Sequence, residues 1–207
     1  MTEHPIVLSS PQVRAILDGR KTQHRILIKP QPRMGILTDG AAATGCPQEY
    51  GLIHHSRGDE LTTRDCIHGQ VGDMLWVREA CRISIPPSGS KHGKVVRYKA
   101  DGYGPPFNHW TCFDYTSGFM PRAMARIRLE VTGLRIEALQ NISAQDASAE
   151  GHHHSDGRPD QWGMPTELFV DARDEFRHHW EIKHAGIASA WENNPWVWVI
   201  EFRMVKP

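Results

Sequence analysis

The sequence predicts a single α+β domain, residues 1–207, built on a small β-barrel with flanking helices and a hairpin-like insertion. The first observation behind this prediction is the order of elements: strand, helix, strand, insertion, several strands, a short helix, a longer helix and a final strand. Many strands with helices to one side are typical of an α+β fold around a small barrel. The second observation is the length, because 207 residues suit one domain and allow a sizeable core.

Ser, Pro and Gly residues mark the first elements. A β-prone run covers residues 5–9, after which Ser10 is a suitable N-cap and Pro11 takes the first helical position. Gly19 ends this helix. Residues 25–32 predict a second strand, which two closely spaced prolines terminate.

Residues 33–65 differ in composition from the rest of the chain. They are rich in Gly, small and polar residues and contain short β-prone runs without strong periodicity, which indicates a hairpin-like insertion packed on the main domain. The clearest strand covers residues 71–81, and another covers 95–100. Apolar and polar residues alternate over 125–139, which predicts one long strand or two short ones.

The last third of the chain predicts two helices and a strand. Ser143, with Asp146 three residues later, is an N-terminal capping signature, and a short helix should follow it and end at Gly151. Apolar residues fall on one face over 167–184, which predicts an amphipathic helix. Residues 193–205 form a strongly β-prone run.

The charge balance excludes a protein with a globally basic surface. Lys and Arg together number 24, as do Asp and Glu, so the formal net charge is zero. A nucleic-acid contact would therefore need a local basic patch or a small target such as one nucleoside.

The thiols and the apolar pattern indicate a cytoplasmic protein that does not span a membrane. The sequence does not open on the basic stretch and apolar run that are typical of a signal peptide. No apolar run reaches the roughly 18 residues that a membrane-spanning helix needs. The four cysteines contain no Cys-x-x-Cys pair, which favours reduced thiols in an intracellular setting.

Four motifs in fixed order give the sequence a resemblance to a known family. GRKTQHR covers residues 19–25, CIHGQVGDMLWVREA covers 66–80, a run from PRAMARIRLEV to SAQDASAEG covers 121–151, and NPWVWVIEF covers 194–202. Together they resemble the ASCH domain family of the PUA-like superfamily, and in particular its long prophage-type members. The insertion is the part of the chain that the resemblance covers poorly.

The resemblance implies a PUA-like pseudo-β-barrel whose cleft faces nucleic acid or a nucleoside. Some small members of the family hydrolyse the acetyl amide of N4-acetylcytidine, and another member is a ribonuclease. PUA relatives bind RNA, and others read modified bases in DNA. The implied partners are thus RNA, DNA or a modified nucleoside.

The same resemblance implies a catalytic set. The amidohydrolase members carry Gly-x-Lys-Thr-x-Thr-x-Arg and a glutamate in the helix after the long strands. These positions fall on Lys21, Thr22, His24 and Glu150, while Arg25 is offset by one residue from the family's arginine. The catalytic candidates are Lys21, His24 and Glu150, and Thr22 and Arg25 are candidates for substrate binding.

His24 departs from the family pattern because it stands where the amidohydrolases have a threonine nucleophile. Imidazole cannot replace a hydroxyl nucleophile without a change of mechanism. His24 could instead be a general base that activates water, since the unperturbed pKa of histidine lies near 6.5. With Lys21 or Arg25 stabilising the oxyanion, such a set could hydrolyse an amide, or it could simply bind a phosphate and a base edge.

Four further residues are candidates for binding substrate. Arg78 and Glu79 lie on opposite faces of a predicted strand, so one of them should be buried and need a partner, and an intramolecular Arg–Glu pair competes with a binding role. Tyr103 and Trp110 lie in a Gly/Pro-rich loop that could stack a base or pack on the barrel. His152 follows the candidate glutamate and could approach a ligand.

The sequence predicts no metal and no cofactor. Residues 152–156 read HHHSD, but neighbouring side chains point apart and rarely bind one ion together. Cys66 and His68 lack the paired spacing of a structural zinc site.

Three functions from different classes fit these observations. The leading one is binding of RNA or a modified nucleoside in a PUA-like cleft, where hydrolysis of an amide such as the acetyl group of N4-acetylcytidine could follow; a ribonuclease-type member is an alternative to it. The second is a non-catalytic reader of modified bases, which the substitution at His24 favours. The third is a phage structural or interaction protein, which the neutral charge and the unassigned insertion favour.

Overall fold

The structure is a computed structural model of the chain. It describes residues 2–36, 50–53, 60–152, 155–156, 168–169, 171–184, 186 and 189–205.

A five-stranded sheet forms the centre of the protein. In spatial order its strands are β1 (Glu3–Val7), β5 (Met74–Arg78), β9 (Arg128–Ala138), β12 (Trp196–Val205) and β2 (Gln23–Leu27). The pairing of β1 with β5 is parallel, and the other pairings are antiparallel.

Three smaller sheets complete the set of described strands. One has three antiparallel strands in the order β7 (Val95–Tyr98), β6 (Cys81–Ile85), β8 (Thr111–Tyr115). The others are antiparallel pairs, β3 (Arg33–Ile36) with β4 (Tyr50–Ile53) and β10 (Ser155–Asp156) with β11 (Leu168–Phe169).

Strand β12 is buried on both faces, which explains its nearly continuous apolar sequence. Trp198, Ile200 and Phe202 enter one core together with residues of β1, β5 and β9. Val197 and Val199 enter a second core on the opposite face. The alternation follows from the two-residue period of a strand.

Three α-helices in the described part of the chain cover the two faces of the sheet. Helix α1 (Ser10–Leu17) buries Val13 and Ile16 in the first core. Helices α2 (Ala144–Ala149) and α3 (Ala172–Lys183) lie on the second face, where Phe176 and Trp180 of α3 share a core with Ala147 of α2. Helix α1 therefore covers one face of the sheet, and α2 and α3 cover the other.

The predicted α+β class is confirmed. Among the described strands the central sheet is open, because the edge strands β1 and β2 have no hydrogen-bonded partner on their outer sides within this sheet. Both edge strands nevertheless contact one core, since Ile6 of β1 is in the first cluster and Ile26 of β2 packs against it. The sheet therefore curves so that its two edges approach a common interior.

Several predicted boundaries shift because long-range pairing decides them. The strand predicted at 25–32 lies at Gln23–Leu27, where it pairs with β12. The strand predicted at 71–81 ends at Arg78, and the chain then enters a different sheet at Cys81. In the predicted insertion, β3 and β4 pair with each other, while residues 37–49 and 54–59 lie outside the described residues.

The structure bears on the predictions about thiols and membranes only for the residues that it describes. Cys66, Cys81 and Cys112 are free, and Cys46 lies outside the described residues. Among the described residues, no helix has the length and the apolar character that crossing a bilayer requires.

The predicted cap and end of α2 are both present. Ser143 accepts a hydrogen bond from the backbone N–H of Asp146 at 3.0 Å, which caps the first turn. Gly151 ends the helix with φ of +94°, in the left-handed region. A Cβ atom at Gly151 would lie 2.9 Å from the Cβ of Ala15 and 3.3 Å from that of Lys21. Gly151 therefore allows the end of α2 to approach α1 and the turn that follows it.

We expect Gly151→Ala to lower the free energy of unfolding by about 1–3 kcal/mol, because the substitution adds both backbone strain and a steric overlap. The measurement is urea denaturation followed by far-UV circular dichroism. Gly93→Ala is the matched control, since a Cβ atom there meets nothing within 4 Å, and it should change stability by less than about 1 kcal/mol. Equal effects of the two substitutions would contradict the close approach.

Candidate functional site

A tight turn places Lys21 at the end of α2. The backbone N–H groups of Arg20 and Lys21 both donate to the carbonyl of Ala15, at 2.8 and 2.9 Å, and Gly19 has a φ of +74°. The N–H of Thr22 then donates to the carbonyl of Ala149 at 2.8 Å. This turn reverses the chain from α1 into β2 and directs the Lys21 side chain inward.

Lys21 and Glu150 form a buried ion pair. The Lys21 side chain is fully buried and that of Glu150 is 2% exposed, with Nζ 2.6 Å from Oε2. Nζ also donates to the backbone carbonyls of Gln23 at 2.6 Å and of Glu150 at 2.9 Å. An ammonium group has three N–H donors, so these bonds use all of them.

His24 contacts the same carboxylate. Its Nδ1 lies 3.4 Å from Oε2 of Glu150. Burial, assisted by the charge of Lys21, lowers the pKa of His24 from 6.5 to about 4, so the ring is neutral near pH 7. Because an ionised carboxylate only accepts hydrogen bonds, the proton of the neutral ring lies on Nδ1 and the lone pair on Nε2.

The Glu150 carboxylate interacts electrostatically with both Lys21 and His24, and these interactions affect the pKa of each group. Burial alone would raise its pKa, but the charge of Lys21 and the hydrogen bonds from His24 and Lys21 outweigh burial and hold the pKa well below its usual range. For Lys21, burial outweighs the attraction of Glu150 and lowers the pKa. The site therefore holds an ionised carboxylate against a neutral imidazole.

Arg25 links this pair to a wider polar network. Its side chain is fully buried, and its guanidinium contacts Glu137 at 3.0 Å, Asp146 at 3.6 Å and Glu150 at 3.4 Å. Gln23 accepts a hydrogen bond from Nη1 at 2.9 Å. The Nε atom of Arg25 is buried and has no hydrogen-bond partner among the described residues.

A cavity of about 490 Å³ opens beside His24, between the edge strands β1 and β2. Its walls are mainly apolar, and its lining includes Ile6, Ile26, Leu61 and Trp198. Its polar lining is mostly cationic or imidazole, with a single acidic residue among the described lining residues. These polar lining residues are His24, Arg25, Lys29, Asp65, His68, Lys183 and His184.

A smaller pocket of about 40 Å³ lies against Glu150, large enough for a water molecule. His24, Arg25 and Lys183 line both this pocket and the larger cavity. Burial lowers the pKa of Lys183. His24 therefore borders both a space for a water molecule and a space for a larger ligand.

The structure brings together the three predicted catalytic residues and two of the predicted binding residues. Lys21, His24 and Glu150 are in mutual contact through the carboxylate, and Arg25 contacts the same group. His152 lines the smaller pocket.

Two other predicted binding residues lie elsewhere. The Thr22 side chain is at an exposed position and is not among the lining residues of either cavity. Arg78 donates to the carbonyl of Gly118 and lies over the ring of Trp76, 5.6 Å from its centroid. Their roles as substrate contacts stay predictions.

Glu79 forms the intramolecular Arg–Glu pair that the sequence predicts, but its partner is Arg126 and not Arg78. Glu79 is the buried residue of the two, 1% exposed, and Arg126 donates to both of its carboxylate oxygens at 2.8 and 3.0 Å. The pairing satisfies the buried charge of Glu79 with a bidentate contact.

Tyr103 and Trp110 belong to the region of the three-stranded sheet. The guanidinium of Arg82 lies 4.7 Å from the Tyr103 ring centroid, and Trp110 contacts Phe107 with ring centroids 4.6 Å apart. Neither aromatic residue is among those that line the two cavities. Base stacking on them stays a prediction.

Lys183 and His184 line the large cavity although no motif of the sequence marks them as site residues. They follow the last apolar turn of α3, where a cation is also favoured by the helix dipole, so the linear sequence carries no separate signal for them. Among the described residues, His152, Glu175 and His179 form a group of potential metal ligands, and two of them border the smaller pocket.

Comparison with protein-family models gave no match, and comparison with curated proteins and with solved structures gave no significant match. The functional conclusion therefore depends on the geometry of the site and on the motifs of the chain.

Removal of the Lys21 charge should destabilise the protein strongly. In Lys21→Met, Glu150 stays buried without its cation, and we expect a loss of about 3–5 kcal/mol in the free energy of unfolding, measured by urea denaturation. Arg20→Met is the matched control, because Arg20 pairs with Asp18 on the surface of the same turn and should cost at most about 1 kcal/mol. Similar losses in both variants would contradict the buried pair.

His24 should make stability fall as the solution is acidified. Its pKa is about 6.5 in the unfolded chain and about 4 in the folded protein, so between these values only the unfolded state binds the proton. From pH 7 to pH 5 the wild type should lose about 2 kcal/mol more than His24→Gln, measured by urea denaturation at each pH. His184, whose pKa burial also lowers to about 4, is present in both proteins and cancels in the comparison. Parallel pH profiles would disprove the shift at His24.

Proposed function

We propose that the chain is a PUA-like domain of the ASCH type whose cavity binds a modified nucleoside, or one modified base of RNA or DNA. We further propose that His24 activates water to hydrolyse an amide on the bound base. The observation that carries the proposal is the convergence of Lys21 and His24 on the Glu150 carboxylate, with His24 in the wall of the cavity.

The curvature of the central sheet supports the PUA-like pseudo-β-barrel. Strands β1 and β2 are the two edges of the sheet, yet both line the same cavity and contact the same core. In a flat sheet the two edges would lie four strand spacings apart, or about 19 Å. An open, barrel-like curl places the cavity between the edges.

The lining of the cavity supports the proposed ligand class. Its volume of about 490 Å³ is within the range of small-molecule sites and accommodates a nucleoside. Apolar walls with Trp198 suit the faces of a base, and Lys29 and Lys183 offer positive charge for phosphate oxygens. A single cavity of this kind agrees with the neutral net charge of the chain better than an extended nucleic-acid surface does.

The contacts support a separate role for each of the three residues in the proposed reaction. Nε2 of His24 takes a proton from water as the hydroxyl attacks the amide carbon, and the ring then gives this proton to the leaving amine. Glu150 holds the Nδ1 proton and orients the ring. Lys21 has all three N–H donors engaged, so it positions Glu150 and does not stabilise the oxyanion. Arg25, whose buried Nε atom lacks a described partner, is the better candidate for that charge.

We expect the purified protein to convert N4-acetylcytidine to cytidine and acetate, quantified by liquid chromatography. His24→Ala should lower kcat/KM by about 10²–10⁴-fold, as for removal of a general base. His92→Ala is the matched control and should leave turnover unchanged. His92 is an exposed histidine near Trp110, in the region of the three-stranded sheet. No turnover in the wild type, or equal turnover in wild type and His24→Ala, would refute the catalytic part.

A second candidate is a reader of modified bases without catalysis. The saturation of the Lys21 ammonium favours it, because one expected source of oxyanion stabilisation is already occupied. Equilibrium binding of acetylated and unmodified cytidine, free and within short RNA or DNA oligonucleotides, separates the candidates. Preferential binding without product identifies a reader, cleavage of the RNA backbone identifies a ribonuclease, and no binding excludes the nucleoside class.

A further inference from the structure

Three potential metal ligands come together where α2 ends and α3 passes beside it. His152, Glu175 and His179 each offer one ligand atom, and these atoms all lie within 4.8 Å of one another. We propose that these three residues bind a divalent transition-metal ion, with Zn²⁺ as the ion that their donor atoms fit best. The proposal does not depend on the proposed function, because it concerns binding of the ion alone.

Local structure places the three side chains on one side. Glu175 and His179 are four residues apart on α3, so they lie one above the other on the same helix face. His152 directly follows Gly151, whose left-handed conformation ends α2 and turns the chain toward α3. The ligands therefore come from α3 and from the residue that follows the end of α2, two parts of the chain that are brought together only on folding.

The separations are close to those of a tetrahedral centre. Metal–nitrogen and metal–oxygen bonds of about 2.0–2.2 Å at tetrahedral angles require ligand atoms about 3.3–3.6 Å apart. Nδ1 of His152 lies 3.5 Å from Oε2 of Glu175, which already meets this requirement. The largest separation in the group, 4.8 Å or less, needs a closure of just over 1 Å by side-chain rotation.

Neighbouring contacts orient the two imidazole rings. Nδ1 of His179 lies 2.9 Å from the backbone carbonyl of Glu175, so this nitrogen donates its proton there and Nε2 carries the lone pair. The His152 ring packs edge-on against Phe176, with centroids 5.5 Å apart, and its centroid is 5.0 Å from that of His179. A carbonyl partner on the non-ligating nitrogen is a common feature of histidine ligands to zinc.

The donor set selects the class of ion. Two neutral imidazoles and one carboxylate suit zinc and its neighbours among transition metals, whereas Mg²⁺ and Ca²⁺ prefer oxygen ligands only. Three protein ligands leave a fourth position for water, as in catalytic zinc sites. His152 and His179 line the smaller pocket together with His24 and Glu150, so the proposed metal site and the candidate active site border the same small space.

The test is titration of the metal-free full-length chain with Co²⁺, which absorbs visible light strongly in tetrahedral sites, followed by competition with Zn²⁺. We expect about one ion per chain. His152→Ala, Glu175→Gln and His179→Ala should each weaken metal binding by more than about 100-fold. This loss exceeds the effect that is usual when a residue hydrogen-bonded to a metal ligand is removed. Near-UV circular dichroism without metal checks that each variant is folded.

Two control variants separate this site from casual binding by histidines. His92→Ala removes a histidine remote in sequence from the three ligands, and His153→Ala/His154→Ala removes the rest of the histidine tract. Both should bind the ion as the wild type does. The proposal is overturned by absence of stoichiometric binding, by unchanged affinity in the three ligand variants, or by loss of binding in the tract variant. In the first two cases the contact between His152 and Glu175 has no role in metal binding.

Discussion

The buried ion pair between Lys21 and Glu150 is the interaction on which the rest of the site depends. It connects the turn after α1 to Glu150, the residue directly after α2, and Lys21 also donates to the backbone carbonyl of Gln23 at the start of β2. Removing both charges from water is costly, and the cost is offset only when every donor has a partner. Lys21 meets this condition with three hydrogen bonds, which makes the geometry of the pair difficult to change.

The position of His24 follows from that constraint. His24 lies in β2, where it is paired with Ile200 of β12. The carboxylate of Glu150, at the end of α2, lies beside the His24 ring. The ring stays neutral because burial and the charge of Lys21 both oppose its protonation. An ionised carboxylate, a neutral imidazole and an adjoining cavity together form a preorganised proton acceptor, the arrangement that general-base hydrolysis requires.

Helix α3 connects the two proposed sites. Its last residue, Lys183, borders the large cavity, while Glu175 and His179 form one side of the metal-ligand cluster one to two turns earlier. Phe176 and Trp180 pack in the second core, and His179 and Lys183 line the smaller pocket. A metal-bound water there would lie on the same side as His24, so the two proposals can be combined or separated by experiment.

Local signals in the sequence determined the α+β class, the cap at Ser143 and the glycine that ends α2, because each depends on periodicity or on the backbone preferences of a few neighbouring residues. The motif resemblance also predicted that Lys21 and Glu150 belong to one site. Only the tertiary structure decided that Arg126 is the partner of Glu79, and that Lys183 borders the cavity. Those contacts join residues that are distant in sequence, and they depend on strand register and helix packing, which no local pattern specifies.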